Sequence, residues 1–223
     1  MDRAKNLERF KGKEVKKYDS EYLFYSNFLA PLKAAITAYG KGDVLDIGCG
    51  NKPYQKYFGS NLEKYIGCDV VQSSSNCVDV LCEAVKIPLE ANQFDTAIST
   101  QVIEHVSEPQ AMVNEAYRLL KPGGHFIISS NMYWPLHEEP YDFFRFTKHG
   151  FRHLLEKAGF EVLSIAPNGG KWALFGQVFF QTIPWWLVMP KFVKWFFNSI
   201  FSFLDKKFFD DRSTINYVVV AKK

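Results

Sequence analysis

Cysteine is scarce and poorly placed for cross-linking or metal binding. Cys49, Cys68, Cys77 and Cys82 are the only four, with no Cys-x-x-Cys pair and no His at zinc-ligand spacing. Neither a disulfide framework nor a metal site is expected. Three of them lie in or beside apolar runs, where Cys packs as a small hydrophobe. The opening stretch MDRAKNLERFKGKEVKK has no apolar core, so no secretory signal is expected and the chain reads as cytoplasmic. A strong charge imbalance is missing too. Residues 1–17 carry seven Lys/Arg against three Asp/Glu, and the remainder 20 against 21. That describes a basic polar arm ahead of a near-neutral body. A nucleic-acid binder usually needs a basic face on the body itself, so nucleic acid is not an expected partner. Apolar residues at 47% and charged residues at 23% exclude a disordered chain, and 223 residues suit one domain with room for an embellishment.

Aromatic residues are abundant, at 17% of the chain with 21 Phe. After the arm, apolar residues at three- and four-residue spacing predict a helix over 18–39, kinked at Pro31. Strand and helix signals then alternate. Strands are expected at 43–47, 64–68, from 77–78 onward, 94–99, 125–129, 160–165 and 216–221. Helices are expected at 109–120, stopped by Lys-Pro-Gly-Gly, and at 150–157, closed by Gly159. This alternation predicts an α/β domain over 18–223 with a mostly parallel sheet covered on both faces.

The segment Val44-Leu-Asp-Ile-Gly-Cys-Gly-Asn-Lys-Pro53 ends a strand in Gly-x-Gly. Such a turn lets a ligand approach the backbone at the carboxyl edge of a sheet. Pro53 stands where a dinucleotide fingerprint has its third glycine, which disfavours a dehydrogenase. Asp46 inside the turn would repel a phosphate and attract a cation. Asp69, ending the next strand, can accept both hydroxyls of a ribose. A ligand with a ribose, no phosphate and a positive centre fits, and S-adenosylmethionine is one.

On these residues the chain resembles the class I S-adenosylmethionine-dependent methyltransferases over about residues 43–165. The matching segments are Val44–Gly50, Tyr65–Asp69, Ile87–Asp95, Val102–Val106 and Arg118–Gly124, in the family's order and spacing. The resemblance implies a Rossmann-like sheet of seven strands in the order 3-2-1-4-5-7-6, the last antiparallel, with S-adenosylmethionine as cofactor. It implies that Asp46, Gly48, Cys49 and Gly50 cradle the methionine part and that Asp69 binds the ribose. Glu83 would face the adenine amino group, with Asp79 competing for that place. Gln101 and His105 follow strand four and are expected beside the sulfonium, or else as a helix cap and a structural contact.

Methyl transfer from a sulfonium needs alignment and exclusion of water, plus a base where the nucleophile sheds a proton. The loop after strand five, 131–147, gathers the residues suited to that. His137 is the expected general base, with Asp142 orienting it or gripping a substrate hydroxyl and Arg145 a third catalytic candidate. The competing arrangement pairs Asp142 with Arg145 and leaves Thr147 to cap the next helix. A similar His-x-x-Pro-x-Asp-Phe-Phe-Arg-Phe run, here 137–146, occurs in bacterial relatives that look tied to surface-polysaccharide or glycolipid pathways.

Between strands six and seven the pattern breaks. Residues 171–212 hold 14 aromatics, including four of the five Trp, and 172–190 carry no charge over 19 residues. That length approaches the roughly 20 residues of a membrane span, but Gln177, Gln181, Thr182, Pro184 and Pro190 interrupt it. On a helix at about 100° per residue, Lys191, Lys194, Asn198, Ser199, Ser202, Asp205 and Lys206 share one side. Phe192, Val193, Phe196, Phe197, Ile200, Phe201, Phe203 and Leu204 fill the other. Three uses are open for 172–209: contact with the inner face of a membrane, a lid over the substrate cleft, or a homodimer contact. The expected acceptor is a small molecule, sugar or lipid-linked glycan. A quinone or prenyl lipid is the second choice, and a non-catalytic S-adenosylmethionine-binding scaffold is the alternative of a different class.

Overall fold

The computed structural model describes residues 14–73, 75–184 and 187–223, so most of the basic arm, with Trp185 and Trp186, lies outside the described residues. Helix α1 (Tyr22–Tyr39) leads into β1 (Gly42–Ile47), β2 (Leu62–Asp69), β3 (Val80–Leu81) and β4 (Phe94–Thr100). Then come α2 (Pro109–Leu119), β5 (Leu120–Asn131), α3 (Lys148–Ala158) and β6 (Glu161–Pro167). Two helices, α4 (Lys171–Thr182) and α5 (Lys191–Lys207), precede β7 (Asn216–Lys222). The strand order is β3-β2-β1-β4-β5-β7-β6, with β7 antiparallel to both its neighbours and the other pairs parallel, as expected.

Period-two alternation builds both layers. Val44, Ile98, Ile127, Val218 and Val220 point to one face and meet Phe28, Leu32 and Ile36 of α1. Leu45, Ala97, Phe126, Ile128 and Val219 point to the other, beneath Met112 and Ala116 of α2 and Phe151 and Leu155 of α3. Burying each of the larger side chains contributes about 1.5–3 kcal/mol. Because β1 lies between β2 and β4, the chain leaves it in opposite directions, opening a crevice at its carboxyl end.

Some element ends differ from expectation, for local reasons. Helix α1 starts at Tyr22, because Asp19 forms a turn first: its Oδ2 accepts Lys16 N–H at 2.8 Å and its carbonyl accepts Tyr22 N–H at 3.2 Å. Strand β3 begins at Val80, where Cys68 offers a partner. The Lys-Pro-Gly-Gly stretch stops α2 but is itself strand: Leu120 pairs with Phe94, and Gly123 and Gly124 exchange 2.9 Å backbone bonds with Lys223. Thr147 Oγ1 accepts the Gly150 N–H at 3.0 Å and caps α3, and Gly159 closes it at φ +101°.

The aromatic segment folds as a helical hairpin against α1. Gly176 of α4 makes the approach possible, since a Cβ there would fall 2.4 Å from Leu23 and 2.6 Å from Phe201. The two sides drawn from periodicity do not match how α5 docks. Asn198 and Asp205, from the polar side, are buried, while Phe192 is 74% and Phe203 61% exposed. The cause is backbone chemistry. Asp205 accepts the N–H groups of Gly170, Trp172 and Ala173 at 2.9, 3.1 and 2.9 Å, satisfying the start of α4 from another helix. Asn198 Nδ2 donates to the carbonyls of Lys17 and Asp19 at 2.9 and 3.0 Å. Asp205→Ala would leave those amides unmet, so a stability loss of about 2 kcal/mol and a Tm fall of about 4–8 °C are expected. A calorimetric Tm within 1 °C of the parent would refute the cap. The uncharged run 172–190 is divided between α4 and the loop after it, and no helix among the described residues is long and apolar enough to cross a membrane.

Candidate active site

The turn after β1 has the backbone its sequence requires. Gly48 and Gly50 adopt φ +74° and +48°, and a Cβ on Gly48 would lie 2.3 Å from Val102. Asp46 is 2% exposed, and its Oδ2 accepts the Tyr65 hydroxyl at 2.7 Å. Burial pushes its carboxyl up to about 7 against that hydrogen bond, and the nearby Asp69 charge adds to the rise. Asp69 spans the turn: Oδ2 accepts the Gly50 N–H at 3.0 Å and Oδ1 the Val70 N–H at 2.7 Å. A carboxylate oxygen can accept more than one hydrogen bond, so ribose hydroxyls can share it.

Glu83 and Asp79 sit in different surroundings. Asp79 accepts the Gly67 N–H at 2.7 Å and pairs with Lys52, which together hold its carboxyl below the usual range despite partial burial. It fastens the sheet. Glu83 follows β3, exposed, at the rim of an open pocket of about 550 Å³ that also reaches Ile87, Pro88 and Glu115. Cys49 takes another place than expected. Its 2%-exposed side chain packs against Gly67, where a Cβ would meet Sγ at 2.5 Å, so its backbone forms the turn and its thiol does not line the cradle. Lys52 occupies a left-handed position at φ +52° and lays its ammonium 5.8 Å from the Tyr65 ring centre.

Gln101 and His105 both make contacts within the protein. Gln101, at φ +56°, donates Nε2 to Ser129 Oγ at 3.1 Å and Asn216 Oδ1 at 3.2 Å, so it ties β4 to the ends of β5 and β7 and caps no helix. His105 turns to the acceptor loop: its Nδ1 lies 2.9 Å from the Tyr141 carbonyl and its ring packs edge-on to His137 at 4.7 Å. In that loop both arrangements of Asp142 coexist. Oδ2 lies 3.2 Å from His137 Nδ1 and accepts the His137 N–H at 3.0 Å, while Arg145 grips both oxygens at 2.6 and 2.7 Å. Burial alone would raise Asp142, but Arg145 and the His137 N–H bring it well below the usual carboxylate range. Arg145 also donates to the Trp134 carbonyl at 3.1 and 3.0 Å, so it staples the loop. Asp142 orients His137 and favours its charged form, but is outweighed. Burial, then His105, hold the His137 imidazole below its ordinary value despite Asp142.

Residues not singled out from sequence complete the corner. Glu104 is 0% exposed and its carboxylate accepts Ser130 Oγ at 2.8 Å and Asn131 Nδ2 at 3.3 Å. Burial raises it to about 6. Glu104, His105 and His137 each offer one ligand atom within 4.8 Å of the other two, a set able to hold a metal ion. The expectation of no metal site rested on cysteine spacing and did not cover this cluster. Only its Glu-His dipeptide, inside the segment Val102–Val106, was visible in sequence.

Comparison with known proteins agrees with this geometry. A protein-family model described as a methyltransferase domain matches residues 45–128. The chain is 37% identical over 109 residues to the tRNA (carboxymethyluridine(34)-5-O)-methyltransferase ALKBH8 of Macaca fascicularis, covering 43% of this chain and 15% of that protein. It is 27% identical over 111 residues to the ubiquinone biosynthesis O-methyltransferase of Coxiella burnetii, covering 44% and 47% respectively. The chain thus spans less than half the length of these two relatives. Among solved structures, a SAM-dependent methyltransferase from Archaeoglobus fulgidus shares the fold at a TM-score of 0.57 and 18% identity, over 92% of this chain and all of that one. The buried Asp46, the two left-handed glycines, at the first of which a Cβ would meet Val102, and the Asp69 bridge fit an adenosyl sulfonium, and residues 45–128 form a methyltransferase domain of the S-adenosylmethionine-dependent kind, with S-adenosylmethionine as cofactor.

Proposed function

We propose that the protein transfers the methyl group of S-adenosylmethionine to a hydroxyl or amine of a lipid-linked, non-polymeric acceptor at a membrane surface. The observation that carries the methyl-transfer reading is the carboxyl edge of β1 and β2, with Asp46 buried beneath the glycine turn and Asp69 bonded across it. When bound, the cofactor supplies an already activated methyl group. The protein's part is to place the nucleophile, balance charge and keep water out. Asp46 opposes the cofactor's positive charge. His105 and His137 each have Nδ1 engaged, so the Nε2 of either can accept a hydrogen bond from the incoming nucleophile.

The lipid-linked acceptor is supported by α5. Phe192, Trp195, Phe196 and Phe203 are all more than half exposed and recur at three- and four-residue spacing around one helical stripe. Lys191, Lys194, Lys206 and Lys207 lie on the same helix, and its single acid, Asp205, is buried as a cap. Exposed aromatics among lysines match the interface of an anionic bilayer. The relative that acts on tRNA favours a nucleic-acid acceptor, and the near-neutral body argues against it.

Vesicle flotation tests the surface. The protein is expected to float with phosphatidylglycerol-containing vesicles and not with phosphatidylcholine alone. The exposed triple variant F192S/W195S/F196S should lose about a hundredfold or more in partitioning with its Tm unchanged. Equal behaviour of parent and variant removes the membrane from the reading. Labelled-methyl transfer to a lipid extract, with bulk tRNA alongside, tests the acceptor, and label in tRNA alone overturns it.

A further inference from the structure

We infer that Glu104, His105 and His137 form a binding site for one first-row divalent cation of the zinc and iron class, set beside the glycine turn. The inference rests on the methyl-transfer reading for its chemical use but not for its existence. Three observations carry it. Each donor atom lies within 4.8 Å of the other two. A tetrahedral ion with ligands at about 2.1 Å needs donors about 3.4 Å apart, a gap that small side-chain rotations close.

Second, both imidazoles are held in the tautomer that ligation requires. His105 Nδ1 faces the Tyr141 carbonyl at 2.9 Å, an acceptor only, so that nitrogen carries the hydrogen. His137 Nδ1 faces Asp142 Oδ2 at 3.2 Å, with the same consequence. The Nε2 lone pairs remain for a metal, and a carbonyl or carboxylate behind the other ring nitrogen is the support metal-binding histidines use. Third, Glu104 is fully buried, and its carboxylate accepts hydrogen bonds from the neutral donors Ser130 and Asn131. The nearest guanidinium, Arg145, is engaged with Asp142 and backbone carbonyls. A buried carboxylate is costly without a cation, and a metal ion supplies one. Asn131 Oδ1, also buried, has no hydrogen-bond partner, leaving a further oxygen beside Glu104.

Two histidines and one carboxylate leave open coordination positions. Glu104 and His105 follow β4, which neighbours β1, so an ion there lies on the acceptor side of the crevice. It would select an acceptor that presents an oxygen. Bound to the ion, a hydroxyl loses its proton to solvent at lower pH, and the oxygen then takes the methyl as the carbon–sulfur bond breaks and sulfur keeps the electron pair as a neutral thioether. In the loaded protein His137 is a ligand, and the ion does the work otherwise expected of a base.

Untagged full-length protein, stripped with chelator, is titrated with Co²⁺ and followed by calorimetry and visible absorption. One equivalent should bind with the absorption of a low-coordinate site. His105→Ala and His137→Ala should each weaken binding by at least about tenfold, with Tm retained. Cofactor affinity is measured on the same samples. Absence of stoichiometric binding, or variants that bind as the parent does, overturns the metal site even where cofactor binding stands. Loss of cofactor binding in the parent would instead overturn the methyl-transfer reading and leave the metal result to be judged alone.

Discussion

Asp69→Ala is expected to weaken S-adenosylmethionine binding by about a hundredfold or more. Hydrogen bonds to a charged group contribute about 1.5–3 kcal/mol each, and a ribose offers two hydroxyls to this carboxylate. Two such losses amount to between two and four powers of ten at 1.4 kcal/mol per tenfold. The substitution also frees the Gly50 N–H, now 3.0 Å from Oδ2, so the turn loses the bond that shapes it. Asp69→Glu should recover part of the affinity, because the longer side chain can still accept from one hydroxyl. Calorimetric titration decides the matter. A dissociation constant for Asp69→Ala within threefold of the parent would show that the ribose is held elsewhere.

Cofactor affinity should rise with pH and level off above about 7. Asp46 has its carboxyl pushed up to about 7 by burial, with the Asp69 charge adding and the Tyr65 hydroxyl opposing. Because the folded value lies above the unfolded one, the protonated form favours folding. This contribution is complete below the ordinary carboxylate range and is lost as pH climbs through about 7, with a slope of at most about 1.4 kcal/mol per unit. A positively charged ligand prefers ionised Asp46, so binding below pH 7 releases a proton, and affinity climbs by up to about tenfold per pH unit between 5 and 7. The unliganded protein should lose Tm over that range and the cofactor should restore it. Asp46→Asn should abolish the slope and keep affinity low throughout. Tyr65→Phe should shift the midpoint upward, since the 2.7 Å bond that favours the ionised form is gone. A flat affinity profile from pH 5 to 8 in the parent would remove Asp46 from cofactor charge balance.

The chemistry of the turn was legible because it is local. Gly48, Gly50, Asp46 and Asp69 are fixed by a strand, a left-handed turn and a neighbouring strand end, all within 24 residues. What stayed hidden depends on register. Tyr65 reaches Asp46 because Val44 pairs with Tyr65 and Asp46 with Gly67, which puts the hydroxyl and carboxylate on one face two rungs apart. Asp79 and Glu83 were equivalent carboxylates in sequence. Only the approach of Lys52 and the Gly67 N–H separated them. From its place after β4, His105 could meet the cofactor or make a structural contact, and only the fold shows the 131–147 loop bringing Tyr141 and His137 to it.

Alternation of apolar strands and helices, with Gly-x-Gly at the first strand's end, determined by itself the seven-strand sheet and, through the family resemblance, its order. Period-two and period-3.6 burial leave few other ways to cover such strands. Only the tertiary structure decided the acceptor corner and the outer surface. Contacts there join residues 32 positions apart, as His105 and His137 are, or helices whose inward face is set by unmet backbone amides. Hydrophobic periodicity sorted α5 into a polar and an aromatic side without saying which would face the domain. The amides of α4 drew Asp205 inward, and Phe192 and Phe203 were left facing out. A buried N–H costs more without a partner than an exposed ring does in water, and that inequality set the helix's rotation.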